Sequence, residues 1–154
     1  MGVGAVGRRG LAAAVAVVTG CVAHPVGPAR DLDGYERKAS TTVESALSAV
    51  QTVRLLADTA ADGGALGSYT VIAVSEQEDS LGGVRGTFMS IQPPRGVDAA
   101  QLRHQVSTVL TNSFNDVGAV RIEARRGHLD RLDEVAAPLA LDADALRTLQ
   151  DELS

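Results

Sequence analysis

Cysteine is nearly absent: Cys21 is the only one in 154 residues. No disulfide within the chain can staple the fold, and no zinc site built on several thiolates can form. Tryptophan is missing, and two Tyr and two Phe leave aromatics at 3%. The core must therefore be built from Ala, Val and Leu, which suits closely approaching helices better than a β-sandwich filled with aromatic and β-branched side chains. Lysine occurs once, as Lys38, against thirteen arginines. The 14 basic residues are outnumbered by 19 acidic ones, for a formal charge of −5. Such a balance disfavours nucleic acid as a partner, because that affinity rests on cations neutralising phosphates. The three histidines, His24, His104 and His128, are dispersed, and none stands three residues after a Glu. That removes the Glu-x-x-His pattern of bundle di-iron centres as well as a histidine-rich zinc site. No apolar run approaches the ~20 residues that cross a bilayer.

The longest apolar stretch, Leu11 to Val18, follows Arg8 and Arg9 and precedes Thr19-Gly20-Cys21. A charged region, a short apolar region and small residues before a cut describe a secretory signal. Val18-Thr19-Gly20-Cys21 matches a lipobox, and the segment resembles a bacterial lipoprotein signal. That resemblance implies cleavage between Gly20 and Cys21, diacylation of the Cys21 thiol (palmitate being a usual chain) and residence at the extracytoplasmic face of the cell membrane. Two or three chains, at about 0.8 kcal/mol per methylene, would hold the protein at the bilayer. Export by the general or the twin-arginine route is left open by Arg8-Arg9. Cleavage would leave 134 residues and take the charge from −5 to −7 by removing Arg8 and Arg9. Gly2-Val3-Gly4-Ala5-Val6-Gly7 fits a dinucleotide-binding pattern, but it follows no strand and falls in the leader. Met1-Gly2 lacks the Ser or Thr that myristoylation wants, since Val6 stands there.

The expected organisation is a signal peptide at 1–20, a lipidated tether at 21–34 and a helical domain at 35–154. Pro25, Gly27, Pro28 and Gly34 mark the tether, whose reach as a flexible chain is roughly 20 Å. From Tyr35 to Ala61, Val43, Ala46, Val50, Val53, Ala57 and Ala60 step by three and four, a helical seam over three heptads. Leu47, Leu55 and Leu56 are expected to widen it, and Asp62-Gly63-Gly64 to end it. Residues 65–92 admit two readings. Tyr69–Ser75 and Val84–Ile91 around Gly82-Gly83 suit a β-hairpin. Tyr69, Ile72, Val84, Phe88 and Ile91 suit one face of a helix, against which Gly82, Gly83 and Gly86 count at about 1 kcal/mol each. Pro93-Pro94 closes the segment under either reading.

Asp98 with Gln101 has the form of a capping box. Leu102, Val106, Val109, Leu110, Phe114, Val117 and Val120 then recur at helical spacing, with a weak point at Asn112–Gly118 and an end at Arg125-Arg126-Gly127. Leu129, Leu132, Val135 and Ala136 form a further stripe that Pro138 must break. Asp142 is expected to cap a last helix carrying Ala145, Leu146, Leu149 and Leu153. Four pieces of similar length, each ~40 Å as a helix, predict an all-α, antiparallel up-down four-helix bundle. The alternative is an α+β fold with a 69–91 β-hairpin. With Gly86-Thr87-Phe88-Met89-Ser90-Ile91-Gln92-Pro93-Pro94 and Arg121-Ile122-Glu123-Ala124-Arg125-Arg126-Gly127, the chain resembles small, uncharacterised helical lipoproteins of actinobacteria. The arginine-rich, Ala- and Gly-rich composition fits a GC-rich genome of that kind.

Chemistry is sparse. Ser40, Ser45, Ser48, Ser75, Ser80 and Ser90 lie outside any Gly-x-Ser-x-Gly elbow. Glu76, Glu78 and Asp79 read as a solvated acidic patch, and Arg121, Arg125 and Arg126 as a helix end complementing its own dipole. No catalytic residue, metal ligand or cofactor is assigned; Gly20 and Cys21 are the site residues, for cleavage and lipidation. The expected function is a non-enzymatic interaction or scaffold module held to membrane lipid through acylated Cys21, with an envelope protein as partner. The alternative is a small-ligand binding or sensing module between helices.

Overall fold

Asp31 fixes where the chain turns helical. Its backbone is extended, and its Oδ1 accepts the Gly34 N–H at 2.7 Å, satisfying an orphan amide of the first turn. Gly34 leaves room for this cap, since a Cβ there would stand 2.8 Å from Asp31 Oδ1. The structure, a computed structural model that describes residues 29–154, begins α1 at Leu32 and carries it to Ala61. Residues 32–34, expected in the tether, are thus helical. Cys21, Gly20, the lipobox and His24 lie outside the described residues.

All six seam residues of α1 are buried, and Tyr35, Ala39, Thr42 and Ala49 extend the stripe. The stripe is broad because α1 packs against every other helix of the fold. Leu55 is a correction: it is 67% exposed, lying between the Val53 and Ala57 positions on the outward side. Gly63 ends α1 at φ +73°, donating its N–H to Ala60 O, and Gly64 N–H reaches back to Thr59 O.

Residues 67–90 are helix α2 (Gly67–Ser90), and the β-hairpin does not form. The buried stripe is Thr70, Val74, Leu81 and Phe88. Tyr69 and Ile72, assigned to the inner face by their apolar character, are 61% and 60% exposed. Val74, Leu81 and Phe88 recur every seven residues and pack on neighbouring helices, and burying large side chains at about 1.5–3 kcal/mol each outweighs the glycines' poor propensity. Gly82 has a packing reason as well: a Cβ there would meet Phe114 Cε2 at 3.2 Å.

After Pro93-Pro94, Gly96 at φ +150° leads into α3 (Val97–Arg126). Asp98 is not its N-cap. It lies in the first turn and caps nothing with its side chain, because the helix starts one residue before it; its charge still suits the positive end of the dipole. The Asn112–Gly118 stretch does not end α3, which continues to Arg126 and is capped by Gly127 at φ +81°. Ser113 and Gly118 face inward there, so small residues mark close packing.

The fourth piece is shorter and broken. A 3₁₀ turn at Leu129–Arg131 leads to α4 (Leu132–Ala136), and Pro138 opens α5 (Pro138–Glu152). Proline at a first helical position loses no intrahelical bond, so the break falls before it, at Ala137. Asp142 is a further correction: it lies inside α5 and is buried, not at a cap.

The pieces form an antiparallel bundle of the expected class. Tyr35 at the start of α1 stacks on Phe88 at the end of α2, with ring centroids 5.7 Å apart. Arg103, near the start of α3, donates to Met89 O and Ile91 O at 2.7 Å each. The α1 and α3 helices also touch across the middle, a close approach that their Ala, Val, Ser and Gly positions allow.

Candidate functional site

The α1–α2 contact is tight where Val74, Leu81 and Phe88 point inward, but on the solvent side the two helices leave a groove of about 910 Å³. It falls within the ~300–1,000 Å³ range of ligand sites. The α1 wall carries Arg37, Lys38, Thr41, Thr42 and Ser45, spaced so that one helical face supplies them all. The α2 wall is Asp79, Ser80, Gly83, Val84 and Thr87, and Ala29, Arg30 and Ile91 close the end at which the described chain begins. No Cβ neighbour would crowd a side chain at Gly83. The groove exists because this wall is made of small side chains.

A second, smaller trough lies between α2 and α3. Glu78 and Arg121 pair across it, with side chains 15% and 22% exposed. The acidic triplet and the arginine trio, read separately in the sequence, thus meet. Forty-three residues separate the two partners, a distance no local pattern spans. The triplet also splits: Asp79 lines both depressions, while Glu76 is exposed. Arg85 stacks over Phe114 at 5.4 Å from the ring centroid.

At the C-terminal end of α3, Glu123 accepts from Arg126 at 2.5 Å and lies 2.7 Å from His128 Nδ1. The His128 bond, then the Arg126 bond, lowers the Glu123 carboxyl below its usual range. His128 is therefore paired at the surface, whereas His104 is exposed on α3. Among the described residues no three His, Cys, Asp or Glu side chains converge as a metal-holding group, and no helix is long and apolar enough to cross a membrane.

Among the described residues, three buried polar atoms have no hydrogen-bond partner: Tyr35 Oη, Ser113 Oγ and Asp142 Oδ2. Burial pushes the Tyr35 hydroxyl above its ordinary pKa, with Arg103 pulling the other way, but the Arg103 guanidinium is aimed at the end of α2. A buried donor left unpaired costs about 1–3 kcal/mol. Tyr35→Phe, which keeps the ring pair with Phe88, is therefore expected to raise stability by about 1 kcal/mol in urea unfolding. A loss of that size would instead assign the hydroxyl a partner. Asp142 and Ser113 face each other across the α3–α5 contact, with Asp116 beside them. Burial first, and the Asp116 charge second, push the Asp142 carboxyl up to about 6.

The groove was not visible in the sequence. Its hydroxyls and glycine look like ordinary helix surface, and Gly83 does not stand out in sequence from its neighbours Gly82 and Gly86. The assigned site residues Gly20 and Cys21 lie outside the described residues. Compared with known proteins, the chain matches no family model, no curated sequence and no solved structure.

Proposed function

We propose that the chain is a lipid-anchored, non-enzymatic interaction module at the extracytoplasmic face of a bacterial membrane, tethered through Cys21. The observation that supports this reading is positional. Ala29, Arg30 and Asp31 line the α1–α2 groove, so the groove opens at the end from which the chain leads back to Cys21. Eight residue steps span at most about 28 Å, and an acylated Cys21 would keep that end close to the bilayer. A partner held in the groove would be held beside the membrane.

Cys21→Ala is expected to move the protein from the membrane to the soluble fraction of fractionated cells; persistent membrane association rejects the anchor. In-cell crosslinking of the anchored protein is then expected to recover one envelope partner that the variant loses. A small-ligand reading has its own support. The groove is a concavity of ligand size rather than a flat apolar patch.

A further inference from the structure

The groove walls differ from the appearance of their residue names. Thr41, Thr42 and Ser45 each donate their hydroxyl to the carbonyl four residues earlier, at 3.1, 2.8 and 2.9 Å. A hydroxyl bonded back into its own helix offers no donor to the groove, and the threonine methyls form the wall's free surface. Opposite them stand Val84 and the bare backbone of Gly83. The middle of the trough is thus largely apolar, with Lys38, Ser80 and Thr87 as its polar side chains, and it offers few groups to satisfy a peptide backbone.

Its two ends differ in charge. The Tyr35–Phe88 contact sets the register, placing Arg30 and Arg37 at the Ile91 end and Asp79 about 18 Å away along α2 at 1.5 Å per residue. Arg37 folds back toward the first turn, its terminal nitrogen 3.6 Å from where a Gly34 Cβ would stand. Neither Arg30 nor Arg37 enters an ion pair among the described residues. Asp31, a carboxylate lining this end of the groove, is turned to the Gly34 amide as the helix cap. Two unpaired guanidiniums at the mouth of an apolar trough are complementary to one chemistry, an anion at the end of an alkyl chain.

We infer that the α1–α2 groove binds a single-chain anionic amphiphile, with the chain along Gly83, Val84 and the threonine methyls and the head group on Arg30 and Arg37. This deepens the small-ligand reading and rests on it, independently of the anchor. An acidic peptide would use the same arginines but would find few partners in the trough for its run of backbone amides, the Ser80 and Thr87 hydroxyls among them.

The test uses the full chain carrying Cys21→Ala, so that no acyl group of its own competes. Dansyl-undecanoate fluorescence is titrated below micelle-forming concentrations, then displaced with laurate and with dodecanol. Saturable one-to-one binding, displaced by laurate, is expected. Gly83→Leu fills the trough where nothing crowds a side chain, and leucine is the better helix former, so its circular dichroism and Tm should hold. Its affinity should fall at least about tenfold. Arg37→Gln should weaken laurate by about tenfold and leave dodecanol unchanged. The inference is overturned by absent or unsaturable binding, by a folded Gly83→Leu that binds as well, or by an acidic peptide that displaces the probe better than laurate does. Any of these would leave the outcome of the Cys21→Ala fractionation standing on its own.

Discussion

Val50→Asp should abolish the cooperative unfolding of the domain or lower its Tm by roughly 15 °C or more. Val50 is fully buried at the middle of α1, the helix that contacts all the others. The substitution removes a packed side chain and places a carboxylate within the apolar core. An unpaired charge in such a site costs several kcal/mol even when it protonates to escape, against a total stability of ~5–15 kcal/mol for a domain of this kind. Leu55→Asp, five residues on in the same helix, is the matched control. Leu55 is 67% exposed, so its change should stay within about 0.5 kcal/mol. Thermal melts followed by far-UV circular dichroism compare the two. Equal melts would mean that α1 does not bury the face described here.

The contrast between these leucine and valine positions shows what periodicity can and cannot reveal. The α1 seam was legible because its buried stripe repeats without interruption through Val43, Val50 and Ala57. Leu55 misled because hydrophobicity reports what a side chain would tolerate, while position on the helix decides what it meets. In α2 the same error moved Tyr69 and Ile72 to the wrong face. The true stripe there begins with Thr70, a polar residue whose hydroxyl is satisfied by Leu66 O, so its burial left no apolar trace.

Helix ends were legible where glycine takes a left-handed conformation, as at Gly63 and Gly127. They were misread where acidic residues offered a cap that the structure does not use. Asp98 and Asp142 both matched a capping pattern, yet Gly96 precedes α3 and Pro138 opens the last helix. The proline was the stronger signal, because its ring fixes φ and removes a donor, whereas an aspartate merely can cap. The groove and the Glu78–Arg121 pair lay beyond the sequence for a different reason. Each depends on the relative rotation of helices distant in sequence, which is set by packing rather than by local propensity.

Asp142→Asn should stabilise the protein at pH 7.5 and flatten its stability between pH 4 and pH 7. Asp142 is only 7% exposed, one of its oxygens has no partner, and Asp116 adds a like charge. Its folded-state pKa, about 6, lies above the ordinary value of 3.8. The folded protein therefore holds this proton more tightly than the unfolded chain does. The stability that protonation confers is complete below about pH 4 and is lost as pH rises through about 6. Above that, the buried charge costs on the order of 3 kcal/mol. Asparagine keeps the shape, removes the charge and supplies an N–H that Ser113 Oγ or Asp116 can accept, so a gain of about 1–2 kcal/mol is expected at neutral pH. General self-repulsion in an acidic chain also eases at low pH, but it acts on the parent and the variant alike. The difference between their urea-unfolding free energies, followed across pH, therefore isolates this one carboxyl. That difference should fall by about 2–3 kcal/mol as pH drops from 7.5 to 4, so that the variant loses its advantage and becomes the less stable of the two. A constant difference, or a variant less stable at every pH, would mean that the charged carboxylate has partners that hold α5 to α3.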